Sequence, residues 1–212
     1  MNIKKILVID DLERNILDAQ EDLGDISTAR SYIEFESLMS KEKYDCILSD
    51  LYFPVGEKEK NEKLKKETLE ILGNYIKEQQ KYNPVGWALE QVCNALELKS
   101  IEEYFEKFNH LKDPVLKGYK ERIILGYNDY EKVKEYKNLF NQIENEIHEL
   151  PSGIFVYKEC ENKNIPCSIV TSAYHHGTEF QPFTNQVGNY VDTLIEEKKE
   201  WKKALRSLMG SE

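Results

Sequence analysis

Polar and apolar positions along the chain form short blocks with two periods. Residues 3–9 end in the apolar run Ile6-Leu7-Val8-Ile9, and Cys46 to Ser49 is an apolar block of four closed by Asp50 and, soon after, Pro54. Blocks this short, ended by turn formers, predict buried strands rather than helices. Between them, Ile16, Leu17, Ala19, Gln20 and Leu23 outline one face of a helix from about Glu13 to Leu23, which Gly24-Asp25 ends. Ile26–Ala29 predicts a second strand, and Ile33, Phe35, Leu38 and Met39 a helix from Ile33 to Ser40. Three strands alternating with two helices signal a parallel sheet with right-handed crossovers.

After Pro54 the period changes. The mixed-charge run Glu57–Lys63 predicts a solvated loop or helix face, and the pattern then stays helical to Leu150. Leu64, Thr68, Ile71, Leu72, Tyr75 and Ile76 share one face, and Asn83-Pro84 interrupts. Ser100 is an expected N-cap with Glu103 three residues on, and Asp129 caps a helix through Val133, Tyr136, Phe140, Ile143 and Ile147. Gly153–Glu161 predicts a further helix, Ile165–Ala173 a fourth strand, Asn189–Ile195 a fifth, and Glu196–Leu208 a last helix. The expected division is 1–54, an all-α insertion over 55–150, and 151–212.

Composition narrows the function classes. A net charge of -10, with 32% charged residues, disfavours direct nucleic-acid binding and an anionic membrane surface. No apolar stretch has the length of a transmembrane helix, and the N-terminal run does not read as a signal peptide. Cys46, Cys93, Cys160 and Cys167 have no metal-ligand spacing, which suits a reduced, cytoplasmic setting.

The predicted strands end on chemistry. Laid side by side, they bring Asp10, Asp11, Asp50 and Thr171 to the carboxyl edge of the sheet, where open α/β sheets bind ligands. Crowded carboxylates repel unless a cation joins them, and hard oxygen ligands suit Mg²⁺. His175-His176 lacks the spacing for one metal and is expected in a loop near the site mouth.

The acidic pair Asp10-Asp11, the segment Asp50-Leu51-Tyr52-Phe53-Pro54 and Thr171, in this order, resemble the receiver domain of two-component response regulators. The resemblance covers the first 54 residues and resumes near Pro151-Ser152-Gly153. It implies a doubly wound parallel five-stranded sheet, flavodoxin-like, interrupted by the all-α subdomain. It implies that Asp50 accepts a phosphoryl group, that Asp10, Asp11, Asp50 and the Tyr52 backbone hold Mg²⁺, and that Thr171 or Ser172 follows the phosphoryl group. The implied partner is a histidine kinase or another signalling protein, with output through protein–protein contacts and a homo-oligomer open. Any enzymatic activity would be limited to self-phosphorylation and autodephosphorylation.

One feature departs from the pattern. Receivers carry a Lys at the end of the fifth strand; counting from Gly188 puts Ile195 there, with Lys198 and Lys199 out of register. The departure leaves open a degenerate receiver that serves only as a protein-interaction module. A weaker resemblance is to haloacid-dehalogenase-type phosphatases with a cap. That family needs a second acid two residues after its nucleophile, where Leu12 follows Asp10 and Glu13 follows Asp11.

Overall fold

A computed structural model describes residues 5–82, 84–97, 103, 132–173, 177–192 and 198–210. The caps expected at Ser100 and Asp129, and the pair His175-His176, lie outside these residues. Five strands form one sheet: β1 Ile6–Ile9, β2 Ser27–Ala29, β3 Cys46–Ser49, β4 Cys167–Thr171 and β5 Tyr190–Asp192. All pairings are parallel and the order is β2-β1-β3-β4-β5, as in flavodoxin-like folds. β1, β3 and β4 are buried along their length, as expected of strands covered on both faces.

Among the described residues the α-helices are α1 Glu13–Leu23, α2 Tyr32–Lys41, α3 Lys58–Tyr82, α4 Pro84–Ala95, α5 at residues 132–144, α6 Ser152–Asn162 and α7 Trp201–Met209. α1 packs against α7, and α2 against α6. The chain leaves β1 toward β2 and then crosses to β3 on the other side of β1. That reversal makes the crevice between the ends of β1 and β3 the ligand position of a doubly wound sheet. Ser31 caps α2 by accepting from the Glu34 N–H at 3.2 Å. The mixed-charge run after Pro54 is the first turns of α3 rather than a loop, with Lys60 paired to Glu36 at 2.5 Å.

The chain divides into two compact units, Met1–Ile71 with Gln142–Glu212, and Leu72–Asn141. The first holds the sheet. A core on one side of it joins Ile6, Val8, Ala19, Cys46, Leu48, Val170, Val191, Trp201 and Ala204. In the second, Tyr75 and Tyr136 meet edge to face with ring centroids 5.1 Å apart, and Leu72, Ile76, Cys93, Val133 and Leu139 are buried. A Cβ on Gly73 would touch the Phe140 ring at 3.6 Å, so α3 and α5 approach closely there.

The C-terminal part departs most from expectation. β5 is described over Tyr190–Asp192, and the expected continuation through 193–195 and the expected helix start at 196 lie outside the described residues. Residues 198–200 have no regular structure, and α7 begins at Trp201.

Candidate functional site

Register builds the site. Ile9 of β1 pairs with Ser49 of β3, so Asp10 and Asp50 leave neighbouring parallel strands abreast. The Asp10 N–H donates to the Ala29 carbonyl (3.1 Å) and the Asp50 N–H to the Ile9 carbonyl (2.7 Å), which extends both strands onto the acids. Carboxylate oxygens of Asp10, Asp11 and Asp50 all come within 4.8 Å of one another.

Asp10 is fully buried and its carboxylate is well supplied with donors. Oδ1 accepts from the Leu12 N–H (3.0 Å) and Asn15 Nδ2 (3.1 Å). Oδ2 accepts from Asn15 Nδ2 (3.0 Å) and Lys199 Nζ (2.6 Å). These four contacts from three donor groups offset the desolvation of this charge. Sequence reasoning passed over Asn15, although its place five residues after Asp10 sets it in the first turn of α1, within reach of that acid.

Lys199 corrects the expectation of a missing lysine. Its Nζ lies 2.6 Å from Asp10 Oδ2 and 2.8 Å from Asp50 Oδ2, with the side chain only 4% exposed. Counting along a continuous strand failed because residues 198–200, just before α7, have no regular structure, so sequence distance does not follow strand rise there. Lys198 faces out to Asp18, Glu21 and Asp22.

Asp50 accepts from the Leu51 N–H at Oδ1 (2.7 Å). Burial pushes its carboxyl up to about 6; Lys199 pulls it down and Asp10 raises it. Asp11, half-buried, is also raised, by burial first and then by Asp10. Three carboxylates against one ammonium leave the cluster negative. Clustered carboxylate oxygens on a negative site fit Mg²⁺ by donor chemistry, with Asp11 and Asp50 the least saturated ligands.

The other expected residues fall around this centre. Thr171 ends β4, buried, two residues beyond the Ile169 that pairs with Ser49; its Oγ1 accepts from the Ala173 N–H (3.1 Å). Ser172 is exposed. Tyr52 contributes its ring to the rim, and its hydroxyl donates to the Glu179 carbonyl (2.5 Å). The Tyr52 ring meets His148 edge on at 4.8 Å, and His148 Nε2 is 3.5 Å from Glu179 Oε1. The hydrogen bond to Glu179 raises the His148 pKa against its partial burial. This clasp joins the turn after β3, the chain entering α6 and the segment after β4; pattern alone did not single out His148 or Glu179.

α6 is anchored on the turn that carries Asp50. The Gly153 N–H donates to the Leu51 carbonyl (3.0 Å) and Ser152 Oγ to the Phe53 carbonyl (2.9 Å). A Cβ on Gly153 would stand 2.1 Å from the Asp50 carbonyl oxygen, so only glycine permits this approach.

No family model, curated protein or solved structure matches the chain. Its function is therefore read from the site's own chemistry. Among the described residues, no helix is long and apolar enough to cross a membrane.

Proposed function

We propose that this chain is a receiver-like signalling protein in which Asp50 accepts a phosphoryl group, with output through protein–protein contacts. The observation that carries the reading is Lys199, buried between Asp10 and Asp50 at the carboxyl edge of a β2-β1-β3-β4-β5 sheet. The proposal includes a receiver interrupted by a helical subdomain over about 55–150, a cytoplasmic setting, and a histidine kinase or similar protein as phosphodonor.

In this reading an Asp50 carboxylate oxygen attacks phosphorus in the donor. The new P–O bond gives an acyl phosphate, and the donor's own P–O or P–N bond breaks with its electron pair. Lys199 swings with its charge to the incoming phosphoryl oxygens, whose negative charge must be met in a mainly electrostatic transition state. Mg²⁺ held by Asp10, Asp11, Asp50 and the Tyr52 carbonyl would supply further positive charge to those oxygens. The Leu51 N–H keeps Asp50 oriented. Thr171 or Ser172 donates a hydroxyl hydrogen bond to the product and moves with it.

The haloacid-dehalogenase reading would make Asp10 or Asp11 the nucleophile. An Asp10 carboxylate that takes four contacts from Leu12, Asn15 and Lys199 and is closed from solvent is poorly disposed to attack. Glu13, the acid two residues after Asp11, is exposed and paired with Arg30. The interaction-module reading drew its support from a missing lysine, and Lys199 removes that support.

The test is incubation with acetyl phosphate and Mg²⁺, read by intact mass. The unaltered chain should gain one phosphoryl group, and Asp50→Asn should gain none. A folded chain that neither binds Mg²⁺ nor takes up phosphoryl would be an interaction module instead.

A further inference from the structure

Lys199 is held by more than its carboxylates. Its ammonium lies over the Trp201 ring, 5.6 Å from the centroid. The backbone between them is a tight three-residue turn: the Trp201 N–H donates to the Lys199 carbonyl (3.0 Å), with Glu200 at φ -87° and ψ 62°. These are the angles of an inverse γ-turn, which doubles the chain back and sets its two flanking residues close together. An ammonium has three N–H donors. Two have carboxylate acceptors in Asp10 and Asp50, and the electron-rich indole face is within range of the third side.

Trp201 is a costly residue if filling space is its only task. Its side chain is wholly buried, and among the described residues its Nε1–H has no hydrogen-bond partner. An aliphatic residue could line this core of Ile6, Val8, Leu48 and Val170 without stranding a polar group. An indole offers what an aliphatic residue lacks, the strongest side-chain π face for a cation.

We propose that Trp201 is a positioning residue: its indole face seats the Lys199 ammonium between Asp10 and Asp50, so the charge stands ready at the phosphoacceptor. The kinetic consequence rests on the reading of Asp50 given above; the seating itself does not.

Two measurements test it. In the unaltered protein, the Lys199 ε-methylene protons should show an upfield ring-current displacement in NMR spectra. Trp201→Phe should keep part of that displacement, and Trp201→Leu should abolish it. With acetyl phosphate and saturating Mg²⁺, Trp201→Leu should slow Asp50 phosphorylation about tenfold, and Trp201→Phe should recover most of the rate. Absence of the displacement in the unaltered protein would overturn the proposal, and that result needs no variant to fold. Equal slowing by Phe and Leu, in step with lost stability, would also overturn it and leave Trp201 as core filling. If the unaltered chain takes up no phosphoryl group, the functional reading fails, while the ring-current result still decides the seating.

Discussion

Lys198 and Lys199 are neighbours in sequence with the same side chain, yet they enter two regions that obey different rules. Lys198 reaches the outer face of α1, where Asp18, Glu21 and Asp22 lie within 3.5 Å, and its side chain is 42% exposed. Lys199 turns inward to two acids and is 4% exposed. Water screens the first set and competes for every charge in it, so three acidic neighbours add little. The second set has given up its water, and removing one partner strands the others. The clasp of Tyr52, His148 and Glu179 falls between these cases, with His148 partly covered and Glu179 mostly exposed. Burial, and not the number of opposite charges nearby, decides what an ion pair contributes.

The sharpest way to break this comparison is to remove each ammonium in turn. Lys199→Met should destabilise the fold by about 3–5 kcal/mol at neutral pH, since it leaves buried carboxylates without their cation. Lys198→Met should leave the urea midpoint nearly unchanged. Similar losses in the two variants would mean that the buried cluster is no more demanding than the surface.

Proton linkage gives the next largest effect. Folding raises the Asp50 pKa from 3.8 to about 6, so the folded chain binds this proton more tightly than the unfolded one. Without metal, the Asp50 contribution to stability is therefore greatest at low pH and falls as pH rises through the window from about 4 to about 6. Asp50→Asn should flatten that fall in chelator-treated protein, and above the window it should gain up to about 3 kcal/mol over the unaltered chain. Mg²⁺ should narrow the gap by stabilising the carboxylate. Denaturation curves across pH check both statements; an unchanged slope in the variant would remove Asp50 as their source.

Gly153→Ala probes the seam between α6 and the Asp50 turn. The added methyl cannot share space with the Asp50 carbonyl, and the backbone shift should cost about 1–3 kcal/mol. It should also slow the proposed phosphoryl transfer to Asp50, because the same turn carries that residue. A variant as stable as its parent would show that the approach is looser than the structure describes.

The smallest effect belongs to the rim. Glu179 raises the His148 pKa, so that contribution is present below the ordinary value of 6.5 and fades as pH rises through the folded value. The hydrogen bond with His148 holds the Glu179 pKa below 4.5 against its partial burial, so its part is present above 4.5 and fades in acid. The pair is strongest between those values, and His148→Ala should cost under about 1 kcal/mol there. A loss as large as that of Lys199→Met would place the clasp with the buried cluster.

Much of the frame was legible in the chain. Short apolar runs and Gly or Pro breaks marked β1, β3, α1 and α6 closely, because one strand or helix needs only its own period and punctuation. Asp10, Asp11, Asp50 and Thr171 could be set at one sheet edge, because parallel strands deliver their carboxyl ends to the same side. Only the tertiary structure decided which lysine meets those acids. Counting assumes regular rise, which residues 198–200 lack, so Lys199 reaches Asp10 across 189 residues of sequence through burial and charge. His148, Glu179 and the indole under Lys199 were hidden for the same reason. Hydropathy and spacing report which face of an element is buried, whereas contacts between distant elements exist only once the sheet, its helices and the turns around it have closed.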